Sequence, residues 1–411
     1  MSAGPGRYRQ LLFVNEYPPS TQAGAPLIMR QLLAEYDPER LDVLCCDSFY
    51  RDATPLVRES FLRCRHTSIR AFNTRLRPRR VFGPVEATLN CWRLGHIMNV
   101  ARRIARERRV EAVLTTSYGA EMPHAAYFLA RELGLPFYYY EMDRLDSVFT
   151  CRAAERLIRK HRREFLRSAA KLWLVSPTMA REFERLYGVH GEFMHHFVDV
   201  ERYQRIASEA PPLPEDRVRL IYTGSINSMF LDTMRWFCDW LNRGLTVAGR
   251  PVELVIYSGH CPPGLVGPNV KYAGFVPSEA VAGKLVEAHA AVVLVSFTAE
   301  RGVKEQIQTS IYTKTVDYLA AGRPVLVVAP PYAAQLEHYG GVSAVVDRLD
   351  EAAVSAALER IVTDARYREE LREKGLALVT AQHSRALVEA RFLAAFRTNQ
   401  DAPDVAARSA R

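Results

Sequence analysis

The chain has 411 residues, 48% of them apolar and 25% charged, with a formal net charge of +9. That length exceeds one ordinary hydrophobic core and points to two domains of about 200 residues each. The composition excludes a fibrous or disordered chain, and no apolar run approaches the roughly 18 residues that cross a bilayer.

The first half alternates strand and helix. Tyr8–Val14 reads as an apolar strand, too short before Asn15 and Glu16 to be a secretion signal. A loop, NEYPPSTQAGA, follows it and contains Gly24, which would let the backbone approach a phosphate or sugar closely; an ordinary strand-to-helix turn is the plainer reading. A helix over Pro26–Tyr36 and a strand over Leu41–Cys46 come next. Asp47–Pro84 has no clear period and reads as an insertion or long loop. Then come helix Glu86–Arg108, strand Val110–Thr115, helix Ala120–Leu133, strand Phe137–Tyr140, a basic helix over Cys151–Ala169 and strand Lys171–Val175. A helix from Pro177 and a strand over Glu192–Phe197 close the half. Alternation of this kind predicts a parallel sheet covered by helices, with ligands at the carboxyl ends of the strands.

The polar, proline-rich segment SEAPPLPEDR (Ser208–Arg217) reads as a linker. Beyond it, strands Val218–Thr223, Glu253–Tyr257, Val270–Phe275, Ala291–Phe297 and Pro324–Val328 alternate with helices. Within this half, Gln306–Val325 reads as a polar loop, a helix from Ser310 to Ala321, a stop at Gly322 and Pro324, and a new strand. On such a helix Ser310, Lys314 and Asp317 share one face and Tyr312, Val316 and Leu319 the other. A hydroxyl, an ammonium and a carboxylate near a helix start suit an anionic ligand; a plain amphipathic helix is the alternative.

Charge is uneven. Residues 1–200 carry 31 Lys+Arg against 22 Asp+Glu, a balance of +9, and residues 201–411 carry 24 of each. The densest clusters are Arg75–Arg80, Ala101–Arg109 and Arg156–Arg167. They suit a polyanion, an anionic lipid surface or a phosphorylated substrate, but lack the interleaved aromatics of a nucleic-acid platform. The seven cysteines show no CxxC or Cys/His spacing, so no zinc site or disulfide framework is implied and a cytoplasmic setting fits.

With these pieces in order, the segment LVSF followed by TSIYTKTVDYLAAGRPVL resembles the donor-binding segment of GT-B-fold glycosyltransferases of family 4. PPSTQAGAP, YYYEMDRLD, LWLVSPTMAREFERLYG, HHFVD, YTGS and VKYAGFVP resemble the same family in the same order. The resemblance implies an α/β architecture of two doubly wound Rossmann-like domains facing a cleft. It divides the chain into an acceptor domain (1–207), a hinge (208–217), a nucleotide-sugar donor domain (218–382), a returning C-terminal helix (383–398) and a disordered tail (399–411).

Carried over by position, the resemblance makes Asp317 the ligand of the ribose hydroxyls. Thr309 and Ser310 become the cradle of the diphosphate, Gly224 and Ser225 the turn facing the leaving phosphate, and Phe275 and Val276 the contacts to the base. Asp143 would stand near the acceptor or the reacting carbon. The family's earlier glutamate is replaced by Thr309, and the Arg and Lys usual after the YTGS-like turn are missing. That leaves Arg301, Lys304 and Lys314 to offset the charge of the departing diphosphate. His195, His196 and His124 are further polar candidates, with core or surface placement the plainer reading for each.

The implied activity is a retaining transfer of a sugar from a nucleotide diphosphate donor to a hydroxyl acceptor. No cofactor is expected, and no metal, since no Asp-x-Asp motif occurs. The acceptor would be a lipid-linked or phosphorylated glycan of polysaccharide or cell-envelope synthesis, reached from the cytoplasm with peripheral contact to an anionic membrane. The alternatives are a nucleotide-sugar epimerase on the same fold, or a non-catalytic nucleotide-sugar or polyanion binder.

Overall fold

A computed structural model describes residues 7–21, 24–70, 85, 88–89, 92–147 and 151–398. The chain divides into two compact units. The first comprises Met1–Tyr139, Thr150–Lys171 and Glu389–Arg411, and the second Tyr140–Phe149 and Leu172–Val388. The tail expected at 399–411 lies outside the described residues.

In the first unit the elements run β1 (Leu11–Val14), α1 (Ala25–Leu32), β2 (Leu41–Cys46), α2 (Ser48–Asp52), α3 (Pro55–Glu59) and β3 (Arg65–Ile69). They continue with α4 (Leu94–Arg108), β4 (Ala112–Thr116), α5 (Glu121–Leu133), β5 (Phe137–Glu141), α6 (Arg152–Arg167) and β6 (Ala169–Leu174). Strands β1 and β4 are buried along their whole length, as central strands of a helix-covered parallel sheet must be. The strand order is β3-β2-β1-β4-β5-β6, with β1 parallel to both β2 and β4 and Leu11 opposite Leu41 and Ala112. The order therefore reverses beside β1, and the carboxyl ends of β1 and β4 are where sheets of this kind place their ligands.

The stretch read as an insertion is partly regular. Arg65–Ile69 pairs with Asp42–Cys46 as a parallel strand. It was hidden because RHTSI is polar and half exposed, as befits a sheet edge rather than a core strand. Residues 71–84, with the Arg75–Arg80 cluster, lie outside the described residues.

In the second unit come α7 (Pro177–Tyr187), β7 (Glu192–Phe193), α8 (Val200–Ser208), β8 (Val218–Thr223), α9 (Leu231–Asn242), β9 (Thr246–Val247), β10 (Arg250–Tyr257), β11 (Val270–Gly274) and α10 (Ser278–Leu285). Then follow β12 (Ala290–Leu294), α11 (Arg301–Thr309), α12 (Lys314–Ala320), β13 (Val325–Val328), α13 (Ala334–Tyr339), β14 (Ala344–Val346), α14 (Glu351–Thr363) and α15 (Ala365–Gln382). Helix α16 (Arg385–Ala394) runs on toward the C-terminus. The sheet order is β11-β10-β8-β12-β13-β14. Its middle strands are apolar runs such as AAVVL and VLVV, buried on both faces. Strand β8 is parallel to β10 on one side and β12 on the other, so the order reverses here too.

One element differs from the sequence reading where it matters most. The polar loop expected before Ser310 is helix α11, and the helix expected to begin at Ser310 begins at Lys314. Ser310 is extended (φ −105°, ψ 144°), and the Tyr312 amide donates to Gln335 Oε1 at 2.9 Å instead of to a helical carbonyl. Ile311 is buried on this bend, so tertiary anchoring overrides the local helical pattern. The expected stop holds: Gly322 takes the left-handed conformation (φ +67°).

Candidate functional site

The second unit concentrates polar side chains at the end of β8. Thr223 closes the strand, and its backbone is held on both sides by tyrosines of the 306–325 stretch. The Thr223 amide donates to the Tyr318 hydroxyl at 2.8 Å, and its carbonyl accepts from Tyr312. The next residue, Gly224, has φ +125°, and a Cβ there would lie 2.4 Å from the Tyr312 hydroxyl and 3.4 Å from Lys314 Cγ. Only glycine fits both the angle and the contact. The Lys314 stem thus runs past the turn, with its ammonium 3.6 Å from Asp317 Oδ2. The structure brings together Gly224, Lys314 and Asp317 and adds Tyr312 and Tyr318. Tyr312, expected on the apolar face of a helix from Ser310, lies ahead of the helix start at Lys314.

Asp317 is buried. Its Oδ1 accepts from the Tyr203 hydroxyl, and its Oδ2 lies 3.2 Å from His196 Nε2. Burial alone would raise its pKa, but Lys314, His196 and Tyr203 outweigh it and hold the carboxyl well below the usual range. Both oxygens are already engaged within the protein. His195, its neighbour, turns the other way, toward Tyr339 and the Ile311 carbonyl, and burial pushes its pKa down. His124 is likewise buried, against the Ala120 carbonyl, with its pKa lowered to about 4 by burial.

Thr309 and Ser310 sit at the carboxyl end of α11 rather than at a helix start. The Thr309 carbonyl accepts from Ser176, and its hydroxyl donates back to the Glu305 carbonyl. Asp143, in the loop after β5, stays in contact with water. Desolvation by the surrounding protein and the nearby Glu141 still raise its pKa to about 6, while a hydrogen bond with Ser310 opposes the rise. Of the other two cations proposed for the diphosphate, Arg301 is 92% exposed and pairs with Glu305. Lys304 lies 4.7 Å above the Tyr332 ring. Phe275, at the end of β11, is 61% exposed and Val276 half-buried. Ser225 follows Gly224 and accepts from the Tyr222 hydroxyl through its carbonyl.

The first unit holds a second constellation at its own switch point. Glu16 follows β1, and Glu121 opens α5 after β4. Both converge on Gly119 (φ +69°), where a Cβ would lie 2.6 Å from Glu16 Oε2 and 3.8 Å from Glu121 Oε2. Burial first, then Glu121, raises the Glu16 pKa to about 8; burial likewise raises Glu121. Tyr118, 44% exposed, packs edge-on against Tyr17 at 5.0 Å beside them. Gly24 is the residue of the loop after β1 expected to approach a phosphate or sugar. Gly24 has φ +83° and open space around its Cβ position, and its carbonyl accepts from Leu27 and Ile28 at the start of α1. The missed signal was Glu16, an acid directly behind a buried strand.

No protein-family model and no curated protein sequence matches the chain. Solved structures do. The chain is similar to sucrose-phosphate synthase from Thermosynechococcus elongatus at 15% identity, covering 93% of this chain and 97% of that one, with a TM-score of 0.64. It is similar to HepE from Anabaena in complex with UDP and glucose at 10% identity, covering 93% and 98%, with a TM-score of 0.64. It also matches α,α-trehalose 6-phosphate synthase from Burkholderia multivorans at 13% identity, covering 94% and 96%, with a TM-score of 0.61. The fold is therefore the GT-B fold of glycosyltransferases, with two Rossmann-like units, as the motif resemblance implied.

Proposed function

We propose that the chain is a glycosyltransferase that moves a sugar from a nucleotide diphosphate sugar to a hydroxyl acceptor with retention. The observation that supports this most is the turn after β8, a glycine-only turn clamped by two tyrosines with the Lys314 stem alongside. It sits where the strand order reverses, the usual ligand position of such sheets. A diphosphate placed over Ser225 would meet Lys314, the best placed of the three cations considered. Exposed Phe275 is available to the base.

The donor C1–O bond to the diphosphate breaks and a C1–O bond to the acceptor forms, with the hydroxyl proton released. Asp143, ionised above about pH 6, would accept the hydrogen bond of that hydroxyl. Metal independence is part of the proposal, resting on the missing Asp-x-Asp motif. So is an acceptor that is lipid-linked or phosphorylated, in polysaccharide or cell-envelope synthesis.

Thermal shift with UDP, GDP, ADP and TDP tests the donor site, because a bound ligand raises apparent stability as ln(1 + [L]/Kd). UDP comes first, since HepE was solved with UDP and glucose. One nucleotide is expected to stabilise the wild type, in EDTA as without it, and Lys314→Ala to lose most of that shift. No shift with any of the four would refute the donor site. Asp143→Asn is expected to lower the transfer rate by about 10²-fold or more, the range of general acid–base effects, and the wild-type rate to fall below about pH 6. An unchanged rate in the variant would remove Asp143 from the mechanism. A donor that epimerises without any acceptor would instead identify an epimerase.

A further inference from the structure

The basic clusters of the first unit are not equivalent once folded. On α4, Arg102 pairs with Glu132, Arg103 with Glu107 and Arg108 with Asp42. On α6 the pattern is different. Arg152, Arg156, Arg159, Lys160, Arg163 and Arg167 are all exposed, and at about 100° per residue they fall within about 100° of arc. Glu155 and Glu164 lie outside that arc, one beyond each edge. Arg159 pairs with Glu155, while Arg152, Arg156, Lys160 and Arg163 make no ion pair among the described residues. The opposite face buries Ala154, Ile158 and Phe165, so the helix is anchored and the cationic stripe, about 24 Å long, faces outward.

A second feature adjoins it. Between α4 and α5 lies a groove of about 670 Å³ with Leu94, Met98 and Phe128 among its lining residues, and with Arg102 and Arg131 beside them. Phe128 packs on His161 of α6 at 5.0 Å, and Arg131 pairs with Glu164 of α6, so groove and stripe belong to one helical layer. Trp92, two residues ahead of Leu94, is 75% exposed. Cations around apolar lining match an amphiphile with an anionic head; a nucleic acid would need stacked aromatic rings along the stripe, and α6 presents none.

We propose that the α6 stripe and the adjoining α4–α5 groove form a docking face for an anionic phospholipid bilayer. The stripe meets the headgroups and the groove takes an apolar tail or headgroup edge. No helix among the described residues is long and apolar enough to cross a membrane, and a stripe of this size suffices for reversible adsorption. The inference does not depend on the chain transferring a sugar.

Vesicle flotation of the full chain tests it, with phosphatidylcholine alone and with about one-third phosphatidylserine. The wild type is expected to float only with the anionic vesicles and to be released as salt rises from about 0.05 M to about 0.5 M. Reversing Arg156, Lys160 and Arg163 to Glu is expected to weaken partitioning by more than about 100-fold, since loss of the three cations alone counts about fivefold each near the surface. Reversing Arg348, Arg360 and Lys374 in the second unit changes net charge equally and is expected to leave flotation as in the wild type. If the triple reversal melts early, the triple Gln variant gives the same reading with a smaller loss. Equal flotation on neutral vesicles, or flotation of the α6 variants as strong as wild type, overturns the proposal. So does a short RNA that strips the wild type from anionic vesicles while binding it in their absence, since that assigns the stripe to nucleic acid.

Discussion

The two units share a strand order that reverses, beside β1 in one and β8 in the other, yet they treat the carboxylates near that point in opposite ways. In the first unit Glu16 and Glu121 converge on Gly119, burial raises both pKa values, and with the added repulsion of Glu121 that of Glu16 reaches about 8. In the second, Asp317 is more deeply buried but surrounded by Lys314, His196 and Tyr203, and its pKa is driven down. Burial has the same sign in both places; the neighbours decide the outcome. A carboxyl that keeps its proton can donate a hydrogen bond to a sugar oxygen, whereas one locked as an anion can only organise cations and donors around it.

Removing the anion should have the largest effect. Asp317→Ala leaves the Lys314 ammonium without its buried counter-charge and is expected to cost about 3–5 kcal/mol of stability, read by urea unfolding. A loss below about 1 kcal/mol would mean that the three neighbours do not depend on it. The same contact predicts acid sensitivity. A lowered carboxylate pKa contributes stability that is complete above about pH 4 and disappears as pH falls through the folded value.

The first unit should fail at the other end of the scale. Because the Glu16 pKa is raised from 4.5 to about 8, its protonated form is what the fold favours, and that contribution is full below about pH 4.5 and lost progressively as pH rises through about 8. Glu16→Gln keeps the shape and discards the titration. It is expected to be more stable than wild type by about 2–3 kcal/mol at pH about 9, a discounted conversion of the shift at about 1.4 kcal/mol per unit. At pH about 4, below the unfolded value, the two should match; a variant that tracks the wild type at both values would show that the fold does not hold Glu16 protonated. The smallest change is Tyr203→Phe, which removes one donor from Asp317. It is expected to cost about 2 kcal/mol, the worth of a hydrogen bond to a charged group. A double-mutant cycle with Asp317→Asn would register the coupling between them.

What was legible in the sequence follows from the range of each interaction. The alternation of buried strands and helices, the Gly224 turn and the Gly322 stop are written in neighbouring residues, and they read correctly. Lys314 and Asp317 were singled out together, and they do lie together. The environment of Asp317 was not legible, because Tyr203 and His196 come from segments more than a hundred positions earlier in the chain. The Glu16–Glu121 pair was missed for the same reason: an acid on a loop and one at a helix start meet only because β1 pairs with β4. The misplaced helix start at Ser310 has a related origin. Its local pattern is helical, and only the Tyr312 amide's bond to Gln335, on a later helix, pulls it straight.

The tyrosine clamp on the β8 turn has a consequence for exchange of backbone hydrogens. The Thr223 amide is committed to Tyr318, and the Gly224 amide to the Tyr257 carbonyl at 2.9 Å. Both should exchange slowly with solvent in the empty protein and gain little from a ligand. The responsive amides begin one position later, at Ser225 and Ile226, so an anion bound at this turn would leave its imprint as a step in protection between Gly224 and Ser225. The turn is thus set before any ligand arrives, and a phosphate there would bind to a surface already in place rather than order one.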